Sequence, residues 1–125
     1  NSVLSIDLTG QANAEMLDGR QVSSAGGLPD FVRGARLAKG GRAILALPST
    51  AGGRNSRIVP RLGEDDVISC PRADADIVVT EHGVARLRDK SVDERAEALI
   101  ALADPAFRAG LADQWEALRR KRVRE

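Results

Sequence analysis

The chain has 125 residues, enough for one domain with a substantial core, and 42% of them are hydrophobic, which favours an ordered globular protein. Its net charge of +1 gives no indication of a polyanion partner, and two Phe and one Trp offer no platform for stacking nucleic-acid bases. The single cysteine, Cys70, excludes an internal disulfide, and no apolar run approaches the roughly 18 residues of a membrane span. We therefore expect a cytoplasmic protein with no membrane or nucleic-acid partner.

The first segment has a strand pattern. Residues 2–8, "SVLSIDL", alternate in a way that predicts a half-buried strand, which Gly10 ends. The chain does not begin with Met, and we interpret it as a fragment of a larger protein. Residues 11–27 are polar and rich in turn formers, and a tight turn is predicted at Gly19.

A short amphipathic helix is predicted over residues 31–38. Asp30 is placed to cap its amino terminus, and Pro29 stiffens its entrance. Gly40 and Gly41 follow and are expected to end it.

The central part of the chain alternates strands and loops. The apolar run "RAILALP", residues 42–48, is typical of a strand buried on both faces. A second glycine-rich loop covers residues 49–56, and "RIVP", residues 57–60, predicts a short strand that its proline breaks. Another buried strand is predicted over Ile77–Thr80, ending in a polar turn.

The remaining chain is predicted to be helical. Ser91 and Glu94 form a capping box ahead of one helix, and Asp104 with Pro105 opens another. Apolar residues follow at helical spacing: Val92, Ala96, Leu99, Ile100 and Ala103 in the first, and Phe107, Leu111, Trp115 and Leu118 in the second. The order of these elements predicts α/β layering in a single domain with a core of Val, Ile, Leu and Ala.

Several kinds of site are excluded or disfavoured by the residues present. His82 and Cys70 are each the only residue of their type, and the carboxylates lack metal-ligand spacing, so no metal site is expected. No G-x-S-x-G elbow marks a nucleophilic serine. Neither a Walker A loop nor G-x-G-x-x-G is present, which excludes those nucleotide loops.

The first glycine-rich loop is a candidate binding site. Gly26 and Gly27 precede the predicted helix, where unpaired amides and the helix dipole favour negative charge. Such amides could bind an anion or the oxygen of a thioester as charge develops on it. An ordinary turn between a strand and a helix explains the same residues. If Asp30 caps the helix, its carboxylate already occupies these amides, which makes phosphate binding there less favourable.

The other candidates are charged. Arg54 and Arg57 lie beside glycines and hydroxyls in the second loop, which suits phosphate binding, although the chain has sixteen arginines and ordinary surface positions explain them equally well. Glu81 follows a buried strand, where ligands of open α/β sheets collect, so it is a candidate nucleophile or base. A turn carboxylate that caps local amides is the alternative. The basic end of the chain, residues 119–125, is typical of a solvated helix terminus.

Five segments, in this order, resemble one known family: "NSVLSIDLTGQANAE", "GGLPDFVRGARLAKGGRAILALPSTA", "SRIVP", "VVTEHGVARLR" and "ERAEALIALADPAFRAGL". They are similar to the carboxyl-terminal part of the acetyl-CoA hydrolase/transferase family, which includes the 4-hydroxybutyrate and acetate or succinate CoA-transferases. The resemblance covers nearly the whole chain. It implies that residues 1–125 are a single segment of the carboxyl-terminal domain.

The resemblance implies an open, CoA-transferase-like α/β fold of the NagB/RpiA type, a layered sheet with flanking helices that is incomplete in a fragment. It also implies two similar halves per subunit with the active site between them, and a homo-oligomer. A glutamate upstream of Asn1 would attack the acyl-CoA thioester, and CoA would pass to a small carboxylate or to water. Coenzyme A or acyl-CoA is then a substrate, and no permanently bound cofactor is implied.

The resemblance also assigns roles to residues of this chain. Gly26 and Gly27 match the family's G-G-x-x-D-F loop, and the Gly27 amide would face the thioester oxygen. Ser23 lies where the family contacts CoA, and Arg54 lies where relatives often carry a cation near CoA. Leu28 stands where the hydrolase-like branch commonly has Gln. No residue here matches the family nucleophile, and Glu81 does not take its place.

Two other functions remain as alternatives. One is an interaction domain that uses the basic carboxyl-terminal helix to bind RNA or an acidic partner. The other is a small nucleotide-phosphate binder built on the same glycine loops.

Overall fold

A computed structural model describes the backbone of residues 1–123 and the side chains of residues 1–122. Three helices lie in this part of the chain: α1 (Leu28–Leu37), α2 (Val92–Ile100) and α3 (Pro105–Val123). The strands are short: β1 (Ser5–Asp7), β2 (Ala12–Asn13), β3 (Met16–Leu17), β4 (Arg20–Gln21), β5 (Ile44–Ala46), β6 (Thr50–Ala51), β7 (Asn55–Ser56), β8 (Ile58–Val59), β9 (Ile77–Thr80) and β10 (Gly83–Arg86).

The strands form two small mixed sheets and two hairpins. One sheet has the order β10-β9-β5 and the other β2-β1-β8, and each contains one parallel and one antiparallel pair. The hairpins are β3-β4 and β6-β7. The mixed α/β class predicted from the sequence is therefore confirmed.

The amino-terminal segment joins the two sheets. Ser2 forms a parallel bridge with Ala46, and the Val3 amide donates to the Ala46 carbonyl at 3.1 Å, so this segment runs along β5. The chain then continues as β1, the central strand of the second sheet. One extended stretch thus fixes the position of each sheet relative to the other.

The strand predicted at residues 2–8 is more buried than the alternating pattern suggests. Ile6 and Leu8 are fully buried as expected, but Asp7 is also buried, with 1% of its surface exposed. Its carboxylate accepts hydrogen bonds from the amide and side chain of Thr9 and from the amide and side chain of Gln11. These bonds stabilise the buried charge and the turn at Gly10.

Helix α1 begins three residues before the predicted start. Gly27 is its amino-terminal cap, with no side-chain hydrogen bond, and Asp30 lies within the first turn. The prediction that Asp30 caps the helix is therefore wrong. Pro29 explains the earlier start, because a proline needs no amide partner in the first turn and its fixed φ is already helical.

The central strands confirm two predictions and correct two. Ile77–Thr80 form β9, and Ile58–Val59 form the short strand β8 within residues 57–60, as predicted. By contrast, β5 is not buried on both faces, since Ile44 is 41% exposed near the edge of its sheet. The chain also does not become helical after Thr80. It turns through Glu81 and His82 into β10, which pairs antiparallel with β9.

The carboxyl-terminal helices begin where the sequence predicts. The Ser91 hydroxyl accepts from the Glu94 amide, and the Glu94 carboxylate accepts from the Ser91 amide, which completes the capping box. The Asp104 carboxylate accepts from the Ala106 amide at the start of α3. The helices pack on the core through Ala96, Leu99, Leu111 and Trp115, and the turn between them contributes Leu102 and Ala103.

Two glycines near the end of α1 differ in what a methyl group would meet. A Cβ at Gly41 would overlap the carbonyl oxygen of Ala35, whereas a Cβ at Gly34, inside the helix, meets no atom within 4 Å. We expect Gly41→Ala to lower the free energy of unfolding by about 1–3 kcal/mol. We expect Gly34→Ala to raise it by up to about 1 kcal/mol through helix propensity. Urea denaturation measures both, and equal effects would contradict this packing of α1.

Candidate functional site

A cleft of about 190 Å³ opens beside the amino terminus of α1. Ser23 and Gly27 both line it, so the structure brings together two of the residues singled out from the sequence. Asn1 and Ser2 line it as well, because the amino-terminal segment runs past the loop that precedes α1. The wall is completed by Ala14, Ser24, Ala25, Leu28 and Phe31.

The amides of the glycine loop are not used within the described part of the chain. Neither Gly26 nor Gly27 donates its amide hydrogen to an acceptor among residues 1–123, and the same holds for Asp30. The Leu28 amide donates to the carbonyl of Ala25 at 3.1 Å. The loop therefore lies outside any strand ladder, and its free amides, at the positive end of a helix dipole, can bind an anion or a polarised carbonyl oxygen.

The backbone requires glycine at one of these two positions. Gly26 has φ of +53°, in the left-handed region, whereas Gly27 has φ of −84° and needs no glycine for its backbone angles. A Cβ on Gly27 would instead lie 3.0 Å from the Cε2 atom of the Phe31 ring. Gly27 is therefore a position of close approach.

Ser23 is placed by the strand before it. Its amide donates to the Glu15 carbonyl at 3.2 Å, and its exposed hydroxyl makes only a long contact of 3.4 Å to the Ser24 carbonyl. The hydroxyl can therefore rotate toward a ligand in the cleft at small cost. Leu28 is buried, with 5% exposure, at the inner side of the cleft.

The two arginines of the second glycine-rich loop have different surroundings. Arg54 lies in the turn of the β6-β7 hairpin after Gly52 and Gly53, is exposed, and forms no ion pair within the described residues. Arg57 is turned inward: it donates to the Leu4 carbonyl at 3.0 Å, and its Nε is buried without a partner. Arg54 is the more exposed of the two, whereas Arg57 is half-buried and lines a different cavity, of about 510 Å³.

Arg54 does not line the cleft at Gly27. The amino-terminal segment lies between the two features, because Ser2 lines the cleft and the Leu4 carbonyl accepts from Arg57, the residue that follows the hairpin.

Glu81 has a local structural role. Its carboxylate accepts the Ser49 amide at 2.8 Å and lies 3.6 Å from Nε2 of His82. Hydrogen bonds from Ser49, with a smaller contribution from His82, hold the pKa of Glu81 below its usual value. Glu81 thus ties the β9-β10 turn to the start of the second loop. The amide that it binds is 32 residues away in the sequence, so it does not cap local amides as the alternative supposed.

Cys70 is a buried thiol, with 1% of its surface exposed. Burial, with a contribution from the charge on Asp74, raises its pKa from 9.0 to about 11.

Across the described residues, no cluster of three or more His, Cys, Asp or Glu side chains is placed to hold a metal ion. Within that same part of the chain, no helix is long and apolar enough to cross a bilayer.

The basic residues at the end of α3 are largely paired. Arg119 contacts Asp93 and Glu116, and Arg120 contacts Glu116 at 3.1 Å. The guanidinium of Arg122 lies 5.2 Å from the centre of the Trp115 ring. Arg124 and Glu125 of the predicted basic end lie outside the described residues.

Comparison with known proteins identifies the class to which this fold and cleft belong. The family model of the acetyl-CoA hydrolase/transferase C-terminal domain matches residues 1–115. The chain belongs to this family, which confirms the resemblance found in the sequence.

Individual relatives agree with this assignment. The chain is 47% identical over 117 residues to 4-hydroxybutyrate coenzyme A transferase of Clostridium kluyveri, covering 93% of this chain and 27% of that protein. It also resembles two solved structures at 46% identity. The first is RipA from Yersinia pestis, with a TM-score of 0.86; the match covers 95% of this chain and 27% of RipA. The second is 4-hydroxybutyrate CoA-transferase from Porphyromonas gingivalis, with a TM-score of 0.73; the match covers 97% of this chain and 26% of that protein. The chain thus spans about a quarter of the length of these relatives.

Phe31 lines the cleft but was not predicted as a site residue. It could have been found from its position four residues after Gly27, because a helical side chain points back toward the preceding turn. Asn1 and Ser2 gave no local signal, since only the pairing of the amino-terminal segment with β5 places them at the cleft.

The pKa of Cys70 leads to a prediction about its reactivity. We expect iodoacetamide to leave the folded protein unlabelled at pH 8 and to label it rapidly in denaturant, because the native thiol is buried and protonated. Since the folded pKa lies above the unfolded one, stability should fall as the pH rises from about 9 toward about 11. Cys70→Ala should lack this decline, and equal labelling of folded and unfolded protein would contradict the buried thiol.

The role of Glu81 is tested by the exchange rate of the Ser49 amide. Glu81→Ala should speed its hydrogen exchange by at least about tenfold, whereas Glu81→Gln, which keeps an acceptor oxygen, should retain most of the protection. Because the folded pKa is lowered, the wild-type protection should persist as the pH falls through 4.5 and be lost only below it. Unchanged exchange in Glu81→Ala would exclude this anchoring bond.

Proposed function

We propose that this chain is the carboxyl-terminal part of a longer CoA-transferase or acyl-CoA hydrolase and forms one wall of its CoA site. In this proposal a glutamate outside residues 1–125 attacks the thioester of an acyl-CoA. The negative charge that develops on the carbonyl oxygen is stabilised by the Gly27 amide, with Gly26 beside it. The CoA thiolate leaves to give an acyl-glutamyl anhydride, then attacks the glutamyl carbonyl, which forms a glutamyl-CoA thioester and releases the first carboxylate. A second small carboxylate takes up the CoA by the reverse of these steps, or water hydrolyses the thioester and frees CoA.

The observation that carries the proposal is the Gly27 amide, which has no internal acceptor among the described residues and lines the cleft, with the equally unbonded Gly26 amide next to it in the chain but not in the lining. Family membership makes acyl-CoA the ligand class to expect, since the relative with 47% identity is named as a CoA transferase.

Two further residues would hold the CoA moiety. Ser23 has a hydroxyl free to rotate into the cleft, and Arg54 is an exposed cation without an ion-pair partner within residues 1–123. A guanidinium binds phosphate oxygens by paired hydrogen bonds. We assign Ser23 to the pantetheine end and Arg54 to the phosphate end or the adjoining part of the pantetheine.

The remaining partners follow from the same proposal. The rest of the protein would supply the catalytic glutamate and the opposite wall, in the two-halved, NagB/RpiA-type arrangement that the resemblance implies. A homo-oligomer is part of the same expectation. Both remain predictions for this chain, whose length is about a quarter of that of its relatives.

The alternative of an interaction domain is less favoured by the charges on α3. Arg119 and Arg120 pair with carboxylates of the chain itself, and Arg122 lies over Trp115. Binding of a polyanion would have to displace these contacts.

The proposal is tested by titrating the ¹⁵N-labelled chain with acetyl-CoA and following its amide resonances. We expect the Gly26 and Gly27 amides to shift together with that of Arg54, even if the affinity is only millimolar. ATP should shift Gly26 and Gly27 less than acetyl-CoA does, because it lacks the thioester. Tighter binding of ATP than of acetyl-CoA at these glycines would instead support the nucleotide-phosphate binder. Shifts for both ligands confined to residues 116–123, and abolished by moderate salt, would instead support the interaction domain.

A matched pair of glycine variants completes this test. Gly27→Val should weaken acetyl-CoA binding by at least about tenfold, because the side chain fills the approach to the amide and displaces Phe31. Gly110→Val is the control, since a Cβ at exposed Gly110 in α3 meets no atom within 4 Å. Equal affinities in the two variants would contradict the assignment of Gly27.

A further inference from the structure

Asn13 is a buried asparagine at the end of β2, with 1% of its surface exposed. Its Oδ1 atom accepts from the amides of Glu15 at 3.0 Å and Met16 at 2.9 Å, and its Nδ2 atom donates to the Met16 carbonyl at 2.8 Å. The side chain thus holds a turn over residues 13–16 in place of main-chain hydrogen bonds. An apolar residue here would leave two amides without this acceptor.

A second buried side chain holds the same turn from outside. The Ser69 hydroxyl accepts from the Ala14 amide at 2.9 Å and donates to the Glu15 carboxylate at 2.6 Å. Ser69 is 7% exposed, and its own amide donates to the Ala12 carbonyl at 2.8 Å. Glu15 is therefore fixed twice, through its amide by Asn13 and through its side chain by Ser69.

The Glu15 carbonyl links this turn to the glycine loop, residues 23–27. It accepts from the amides of Val22 at 2.8 Å and Ser23 at 3.2 Å. Among residues 1–123, no other main-chain hydrogen bond joins the glycine loop to a part of the chain outside the loop and α1. The loop is thus held at one end by Glu15 and at the other by the helix, and a release of Glu15 increases the number of conformations open to it.

We propose that Asn13 and Ser69 are positioning residues, which through Glu15 fix the place at which the glycine loop presents its amides. The inference rests on the proposed function, because it takes the Gly27 amide to bind the thioester oxygen. An amide that is already in place binds that oxygen without first having to be ordered. Neither positioning residue has to touch the ligand.

The physical consequence is a loss of selectivity when either anchor is removed. With Glu15 released, the glycine loop has to be ordered each time a thioester oxygen binds to it, which weakens acetyl-CoA. Free CoA carries a thiol in place of the thioester, so its affinity does not include this cost. The preference for acetyl-CoA over CoA therefore falls, even where the protein remains folded.

The experiment measures the dissociation constants of CoA and acetyl-CoA by amide chemical-shift titration, and the preference is the first constant divided by the second. We expect the preference to fall at least about threefold in Asn13→Ala and at least about twofold in Ser69→Ala, toward its value in Gly27→Val. Partial unfolding weakens both ligands by the same factor, so a loss of stability alone leaves this ratio unchanged.

Thr80→Val is the matched control for the loss of a buried hydroxyl. Like Ser69, Thr80 is 7% exposed, and its hydroxyl donates one hydrogen bond and accepts one. These bonds go to the Leu102 carbonyl at 2.8 Å and come from the His82 amide at 3.1 Å, away from the glycine loop in the hydrogen-bond network. The substitution should lower stability and leave the preference at its wild-type value.

The outcomes separate this inference from the proposed function. If Gly27→Val removes the preference but a folded Asn13→Ala or Ser69→Ala variant keeps it, the role of that residue is wrong and the proposed function stands. If Asn13→Ala does not fold, Ser69→Ala decides. An equal fall in Thr80→Val would overturn the positioning role as well. If the wild type does not prefer acetyl-CoA to CoA, the assignment of Gly27 and this inference fall together.

Discussion

The position of the candidate site depends on the pairing of one extended segment with two sheets. Asn1 and Val3 are hydrogen-bonded to β5, and the same stretch continues into β1 at the centre of the other sheet. Ser2 lines the cleft, and the Leu4 carbonyl accepts from the guanidinium of Arg57, which follows the second loop. The position of the glycine loop relative to the hairpin that carries Arg54 therefore depends on this pairing.

The charged groups divide into those that hold the structure and those left for a ligand. Asp7, Glu81 and Arg57 each bind main-chain groups and stabilise turns. Within the described residues, the Arg54 side chain makes no such bond, and the Gly26 and Gly27 amides have no acceptor. An unused donor is stabilised by water until a ligand replaces that water, which is why a site of this kind can exist before its ligand binds.

Specificity in such a cleft depends on what surrounds the amides, since the amides themselves recognise only an oxygen. Leu28 and Phe31 are the large apolar side chains at its wall. Leu28 is buried and Phe31 is exposed, so substituting them should lower the free energy of unfolding by different amounts. Phe31 is 70% exposed, so substituting it should cost less stability than substituting buried Leu28.

The sequence by itself determined the features that depend on neighbours along the chain. The Ser91–Glu94 capping box, the start of α3 at Asp104 and the buried strand Ile77–Thr80 are local patterns, and five ordered motifs were enough to identify the family. Tertiary structure decided the rest. A glycine caps α1 instead of Asp30, and β10 pairs with β9 where a helix was expected. These outcomes depend on partners distant in sequence, whose contacts outweigh the fraction of a kcal/mol that local propensity supplies per residue.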